Sequence, residues 1–323
     1  MRISDEKIRE IVSDLSLDKA CSKGVDLPVR NCWHFCSDGN AVDVLFIDDD
    51  DYINAMNRIC VVMTRYDVVI LAFVIMSTHI HFILYGCFDE CNRFVHEYLR
   101  CTSIEISRRY GERHKLRGVR ISHQMIGTDR YLKTAICYVL KNPDSAGMHY
   151  MPYNYPWSSG ALMFNGGGYW SSLQWKTGSE HGSVSLEEIG SAEKRSLLKT
   201  HNIYRPKGNL IGNLVFPGDY VAFEVAEKIF RTPRSFNYFM SVSKDTDVES
   251  KGGSISYLSL PVAELRQRRN ELCSATFGTE SIRSLDTAGR LILARKLKSL
   301  YNSSPKQIIR ICGLKYSEAS NLL

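Results

Sequence analysis

Two histidines one residue apart, His79 and His81 in the run VVILAFVIMSTHIHFILYG (residues 68–86), are the first residues whose types and spacing could do chemistry. In a strand alternate side chains share a face, so both imidazoles would project together with Ile83 and Tyr85. Two imidazoles on one face are a natural pair of ligands for a divalent cation. With nine histidines in 323 residues such a pair also arises by chance, and surface or structurally bonded histidines can have the same spacing. A second pair gives the first a context. In YLKTAICYVLKNP (residues 131–143) Tyr138 and Asn142 are four apart, on one helix face and one turn from each other. Asn142 can offer an amide oxygen to a cation, and Tyr138 a phenolic oxygen beside it. A cation held by two imidazoles and an amide keeps open positions, which suits polarisation of a phosphodiester. Tyrosine is a competent covalent nucleophile, although its ordinary pKa of about 10 calls for a positive field nearby. Tyr131, on much the same helix face, is the other candidate nucleophile; core packing is its alternative role, and only Tyr138 has Asn142 one turn on.

These side chains need strands and helices to bring them together. The apolar run splits into strands over 68–76 and 79–85, with Ser77-Thr78 as the hairpin turn. Upstream, RNCWHFCS reads as a strand; strand alternation explains the spacing of Cys32, His34 and Cys36, with a metal site as the lesser alternative. A helix follows the aspartates Asp48 to Asp51 and runs to about Met63. Acidic residues there cap the helix and offset its dipole instead of holding a metal. Downstream come a helix ending at Gly111, a strand GVRISHQM, and a helix with Asp129 near its start that Pro143 and Gly147 stop. His123, in that strand, reads as a histidine with a structural partner. The order strand, helix, strand, strand, helix, strand, helix is that of an α+β, ferredoxin-like antiparallel sheet with helical crossovers.

Four regions are expected: an N-terminal helical extension (1–29, helix over 4–16), the sheet domain (30–162), an irregular linker (163–215) and a helical C-terminal region (216–323). The linker is marked by Gly166, Gly167, Gly168 and TGSEHGSVS. FRTPRSFNYFM mixes arginines with aromatics, a combination that suits stacking on unpaired bases and equally suits an aromatic core. The last 43 residues carry eight basic side chains (Arg283, Arg290, Arg295, Lys296, Lys298, Lys306, Arg310, Lys315) against Asp286 and Glu318, which equals the whole net charge of +6. A basic tail on a neutral body suggests an anionic partner, usually nucleic acid. Helices near 285–301 and from Pro305, closed by Gly313, then a third capped by Ser317, have the pattern of a helix-turn-helix over 285–323. The ten cysteines are scattered and read as reduced thiols. No run approaches the roughly 20 apolar residues of a membrane span, and the charged segment after Met1 is unlike a secretory signal.

AFVIMSTHIHFILYG, followed by YVLKNPDSAGM and YPWSSG, resembles the HUH tyrosine transposases, and within them the branch of REP-associated tyrosine transposases; RNCWHFCSDGN and LFIDDDDYINAM fit the same branch. The likeness covers residues 30 to about 162 and is fainter in the C-terminal third. It implies that His79, His81 and Asn142 hold a divalent cation, Mg²⁺ or Mn²⁺. It further implies that Tyr138 attacks single-stranded or hairpin DNA, leaving a 5′-phosphotyrosine link and a free 3′-hydroxyl. Tail cations Arg290, Arg295, Lys296, Lys298, Lys306, Arg310 and Lys315 would bind DNA. A bacterial cytoplasmic, nucleoid-associated setting follows from the same resemblance; monomer and homodimer both stay open. Ser77-Thr78 stand where the family has Pro-Asn, and Asn142-Pro143-Asp144-Ser145 lacks the arginine of the family's Asn-Pro-Val-Arg. A catalytically silent DNA-binding regulator on the same scaffold is the alternative reading, and a phosphodiesterase using water is a third.

Overall fold

The computed structural model describes residues 4–16, 30–38, 45–111, 116, 119–146, 148, 150–165, 184–201, 203–242, 262–279, 281–301 and 305–314. The chain divides into two compact units, Met1–Ser243 and Lys244–Leu323.

The first unit opens with α1 (Asp5–Ser16) and is built on β1 (Arg30–Ser37), α2 (Asp49–Met63), β2 (Val68–Ile75), β3 (Ile80–Cys87), α3 (Phe88–Tyr110), β4 (Ile121–Ile126) and α4 (Asp129–Ser145). The strands form one antiparallel sheet in the order β2-β3-β1-β4, an α+β architecture. Every residue of β2, VVILAFVI, is buried, as expected where a sheet is covered on both faces. Paired residues define those faces. Phe73, Phe82 and Phe35 lie abreast, and Phe82 meets Phe94 and Tyr98 of α3 edge-on at 5.4 and 5.3 Å. The other face carries Val74, His81 and Cys36 abreast, then Ala72, Ile83, His34 and Gln124, and α4 packs there.

Helix α2 begins at Asp49, within the aspartate run, because Asp48 is its N-cap and accepts from Asp51 N at 3.0 Å. Asp51, buried, receives Arg109 and Tyr110 from the end of α3, each at 2.8 Å. The acidic run therefore ties two helix ends together. Gly111 closes α3 at φ 71°, a left-handed position suited to glycine.

The free edge of β2 is covered by YPWSSG. Val74 bridges Ser158, Ile75 N donates to Trp157 O at 2.9 Å, and Ser159 N donates to Phe73 O at 3.0 Å. Farther along the same edge, Ala222 N donates to Ile70 O at 2.8 Å. Covering an edge this way removes the unpaired backbone groups that would otherwise invite another strand.

Of the stretch expected to be an irregular linker, residues 184–201 and 203–215 are described, and they are folded. Short strands β5 (Val184–Ser185), β6 (Asn209–Ile211) and β7 (Leu214–Val215) form a second sheet, with α5 (Ser191–Leu198) between the first two. Buried Asn57 of α2 anchors this layer, donating to Asn213 O at 2.7 Å and accepting from Val215 N at 2.8 Å. Helices α6 (Phe223–Phe230) and α7 (Pro233–Val242) also belong to this first unit and pack on α4, so the helical region expected over 216–323 divides between the two units.

The second unit consists of α8 (Val262–Phe277), α9 (Thr287–Tyr301) and α10 (Pro305–Ile311), which pack on one another around Leu265, Leu293, Leu297 and Ile308. Gly313 follows α10 at φ 60°. The third tail helix expected from Ser317 lies outside the described residues. No helix of the described residues is long and apolar enough to cross a membrane.

Candidate active site

The hairpin between β2 and β3 closes with Met76 N donating to His79 O at 2.8 Å across Ser77-Thr78. Ser77 O, in turn, accepts from Leu45 N at 2.6 Å and Phe46 N at 3.2 Å, which pins the turn to the approach of α2. His79 thus sits at the end of the turn, one residue before β3, and its ring still lies on the side of His81, with centroids 5.0 Å apart. Its side chain is fixed locally: Thr78 Oγ1 lies 3.0 Å from His79 Nδ1. A hydroxyl can donate or accept, so this contact supports either tautomer and leaves Nε2 to the site.

His79 Nε2 lies 3.4 Å from Asn142 Oδ1, while Asn142 Nδ2 donates to Tyr138 O at 3.0 Å and Val139 O at 3.4 Å. The second bond has a cause in the sequence. Pro143 has no N–H, so Val139 O lacks its ordinary partner four residues on. The Asn142 amide takes that place, which lets α4 run through Pro143 to Ser145 instead of stopping there. With its NH₂ turned onto the helix backbone, the carboxamide has its oxygen toward the imidazoles.

His81 is 2% exposed and stacks on His34 of β1, which is 4% exposed; the rings are 5.2 Å apart and 8° from parallel. His34 Nε2 lies 3.0 Å from His81 Nδ1, and Cys36 Sγ lies 3.6 Å from His81 Nε2. Tyr138 meets both rings edge-on, at 5.7 Å from His81 and 5.9 Å from His34. Burial pushes the His34 imidazolium down to about pH 4. Burial also lowers His79, against the pull of Asn142 and Asp38, and puts His81 well below the ordinary range with help from its two histidine neighbours. All three imidazoles are therefore neutral near pH 7, with a lone pair each. Burial pushes the Cys36 thiol up to about 12, so it stays protonated.

The structure brings His79, His81, Tyr138 and Asn142 together. It adds His34 and Cys36, which strand alternation had placed on one face without showing what that face meets. Tyr131 is 2% exposed and packed in the core, its phenol raised well above 10 by burial. His123 faces the other side of the sheet, against Phe35 and Phe88. Among the described residues no group of three or more His, Cys, Asp or Glu is arranged to hold a metal ion, so a cation here would depend on the amide as its third donor.

Of the tail cations, Arg290 is turned onto backbone: Nε donates to Leu285 O at 3.0 Å and Nη1 to Gly313 O at 3.3 Å. Arg295, Lys296 and Arg310 are exposed and Lys298 half-buried, with Lys296 Nζ 3.1 Å from Thr276 Oγ1. The side chain of Lys306 and the whole of Lys315 fall outside the description.

No family model matches the chain, and no curated protein matches it. Among solved structures, the chain is similar to a REP-associated tyrosine transposase bound to a REP hairpin, at 16% identity over 44% of this chain and 84% of that one, with a TM-score of 0.32.

Proposed function

We propose that the chain is a tyrosine-dependent, single-stranded DNA endonuclease and strand transferase of the HUH type, acting on single-stranded or hairpin DNA. One observation carries this reading: a phenol, two neutral imidazoles and a carboxamide oxygen converge on one face of an antiparallel sheet. The strand order with α2 and α3 as crossovers supports the ferredoxin-like form of that sheet. The donor set fits a divalent cation, since His79, His81 and Asn142 present uncharged nitrogen and oxygen donors. Two imidazoles suit Mn²⁺ better than the oxygen-preferring Mg²⁺. When bound, such a cation would withdraw charge from the scissile phosphate and supply the positive field that a phenol needs.

The chain's own groups do the rest. Tyr138 attacks phosphorus in line through its phenolic oxygen. The tyrosyl–phosphate bond forms as the P–O3′ bond breaks, and the departing 3′-oxygen ends as a hydroxyl after taking up a proton. The ester energy is retained, so rejoining to another 3′-hydroxyl requires no nucleotide cofactor. His34 holds His81, and Thr78 holds His79, in fixed orientations. Tail residues Arg295, Lys296, Lys298, Lys306, Arg310 and Lys315 add sequence-independent attraction to phosphates, through the helix-turn-helix expected over 285–323; Arg290 serves the tail's own fold.

One observation favours a second reading, a DNA-binding regulator without turnover: the protonated Cys36 thiol sits beside His81 Nε2, where a cation would approach. Incubating the chain with a labelled pool of hairpin DNAs and Mn²⁺ separates the two. The nuclease reading expects a covalent protein–DNA band and a shortened free strand with a 3′-hydroxyl. Salt-sensitive binding without any cleavage across Mn²⁺ and Mg²⁺ titrations would establish the regulator instead.

A further inference from the structure

On the helical side of the sheet, away from the tyrosine and histidines, a cleft of about 190 Å³ lies between α2, α3 and the residues that follow α5. Arg58 of α2 lines it and is only 6% exposed. Its Nη1 donates to Thr102 Oγ1 at 3.2 Å, and that hydroxyl is itself engaged with Tyr98 O at 2.8 Å. Among the described residues Arg58 has no ion pair. The one acid that lines the cleft, Glu105, offsets part of the Arg58 charge from a distance but is paired with Arg108 at 3.1 Å. Arg65 and Arg100 both close on Glu97, at 2.6 and 2.7 Å. Burial accordingly works against the charge of Arg58. A guanidinium removed from water with one hydroxyl as partner is costly, and a counter-charge at the same place removes that cost.

The rim repeats the sign. Lys199 and His201 line the cleft and are exposed, and neither has a carboxylate partner among the described residues. Lys199 caps α5 at φ 50°, a left-handed position where glycine is the unstrained choice. A lysine there lines the cleft at a conformational cost. Lys199 and Arg108 also line a second cleft of about 490 Å³, which Asp50, Glu105 and Glu193 line as well, so the basic character is confined to the smaller cleft around Arg58.

We propose that this cleft is an anion site for a phosphate group, with Arg58 at its floor and Lys199 and His201 at its rim. A guanidinium fork matches a tetrahedral oxyanion, and a phosphate fits a cleft too small for a folded partner. The phosphate arrives either free, as a small phosphate compound, or as part of a DNA backbone. The inference stands apart from the tyrosine chemistry, since it concerns the opposite face of the sheet.

The test is thermal unfolding of the full chain with inorganic phosphate against matched sodium chloride, for the parent, Arg58→Met and Lys199→Gly. Phosphate should raise the melting temperature of the parent in a saturable way, and each variant should need about tenfold more phosphate for the same shift. Lys199→Gly relaxes the left-handed cap, so it reads the site even if Arg58→Met folds poorly. Repeating the titration with oligothymidylate present assigns the source: lost phosphate response means a backbone phosphate occupies the cleft, and an unchanged response means a free one. No phosphate-specific shift in the parent, or equal shifts in all three proteins, overturns the site.

Discussion

His34 and His81 meet through one 3.0 Å nitrogen–nitrogen contact inside the sheet face, and their neutrality controls what the site can do. If His81 presents Nε2 to a cation, Nδ1 must carry the proton and donate to His34 Nε2, so His34 sets the tautomer that makes His81 a ligand. His34→Ala should weaken Mn²⁺ binding by about 10- to 100-fold, and leaving His81 Nδ1 buried without a partner should cost on the order of 2–3 kcal/mol in urea unfolding. His34→Gln keeps an acceptor near that place and should recover part of the affinity. The same burial makes a pH prediction for the metal-free protein. Because His34 in the fold titrates near 4 instead of 6.5, the unfolded chain takes up the proton first as pH falls. Stability is therefore full above about pH 6.5 and declines as pH drops toward 4, by about 3 kcal/mol for this residue alone. Denaturant midpoints with EDTA that stay constant from pH 7 to about pH 4 would contradict it. The spacing of His79 and His81 gained meaning only beside the Tyr138–Asn142 pair; His34 had no such partner in the sequence, because its place depends on β1 lying beside β3, a pairing across 47 positions that no local pattern encodes.

Helix α4 shows how one local conflict can orient a site. Pro143 and Gly147 predict the end of the helix, and it passes Pro143 to end at Ser145 because the Asn142 amide bonds the carbonyl that proline leaves without a donor. Pro143→Ala should restore the backbone bond and hold or raise stability by about 1 kcal/mol. It should also release the Asn142 amide and lower the rate of DNA cleavage, a split that thermal melts and a nicking assay can read. The edge cover of β2 is more demanding. A Cβ on Gly160 would lie 2.0 Å from Pro152 O, a backbone atom that cannot move aside alone. Gly160→Ala should therefore displace YPWSSG from the sheet and cost more than about 2 kcal/mol in urea unfolding; a cost near zero would mean that the loop is not seated as described. The long strands and helices were readable because their periodicity and caps span many residues. The second sheet was not, since two- and three-residue strands carry no period, and its anchor, Asn57, lies more than 150 positions away on α2.

At the scale of the molecule, charge and chemistry are separated along the chain. The tail holds a basic excess equal to the whole net charge, while the first unit holds the phenol and imidazoles. Reading the tail by composition marked all its cations alike, but Arg290 spends its donors on the carbonyls of Leu285 and Gly313. Substituting Arg295 and Lys296 together with alanine should weaken DNA binding evenly across sequences and reduce the slope of log affinity against log salt by about 2. Arg290→Ala should act mainly on the melting of the second unit. In the proposed reaction Tyr138 is the nucleophile. That role is tested most directly by trapping the protein on hairpin DNA with Mn²⁺, digesting the product, and mapping the modified peptide by mass spectrometry. A nucleotide phosphate on Tyr138, absent from Tyr138→Phe, is the predicted result. A modification on Tyr131 or elsewhere, or cleavage by Tyr138→Phe at the parent rate, would contradict the account.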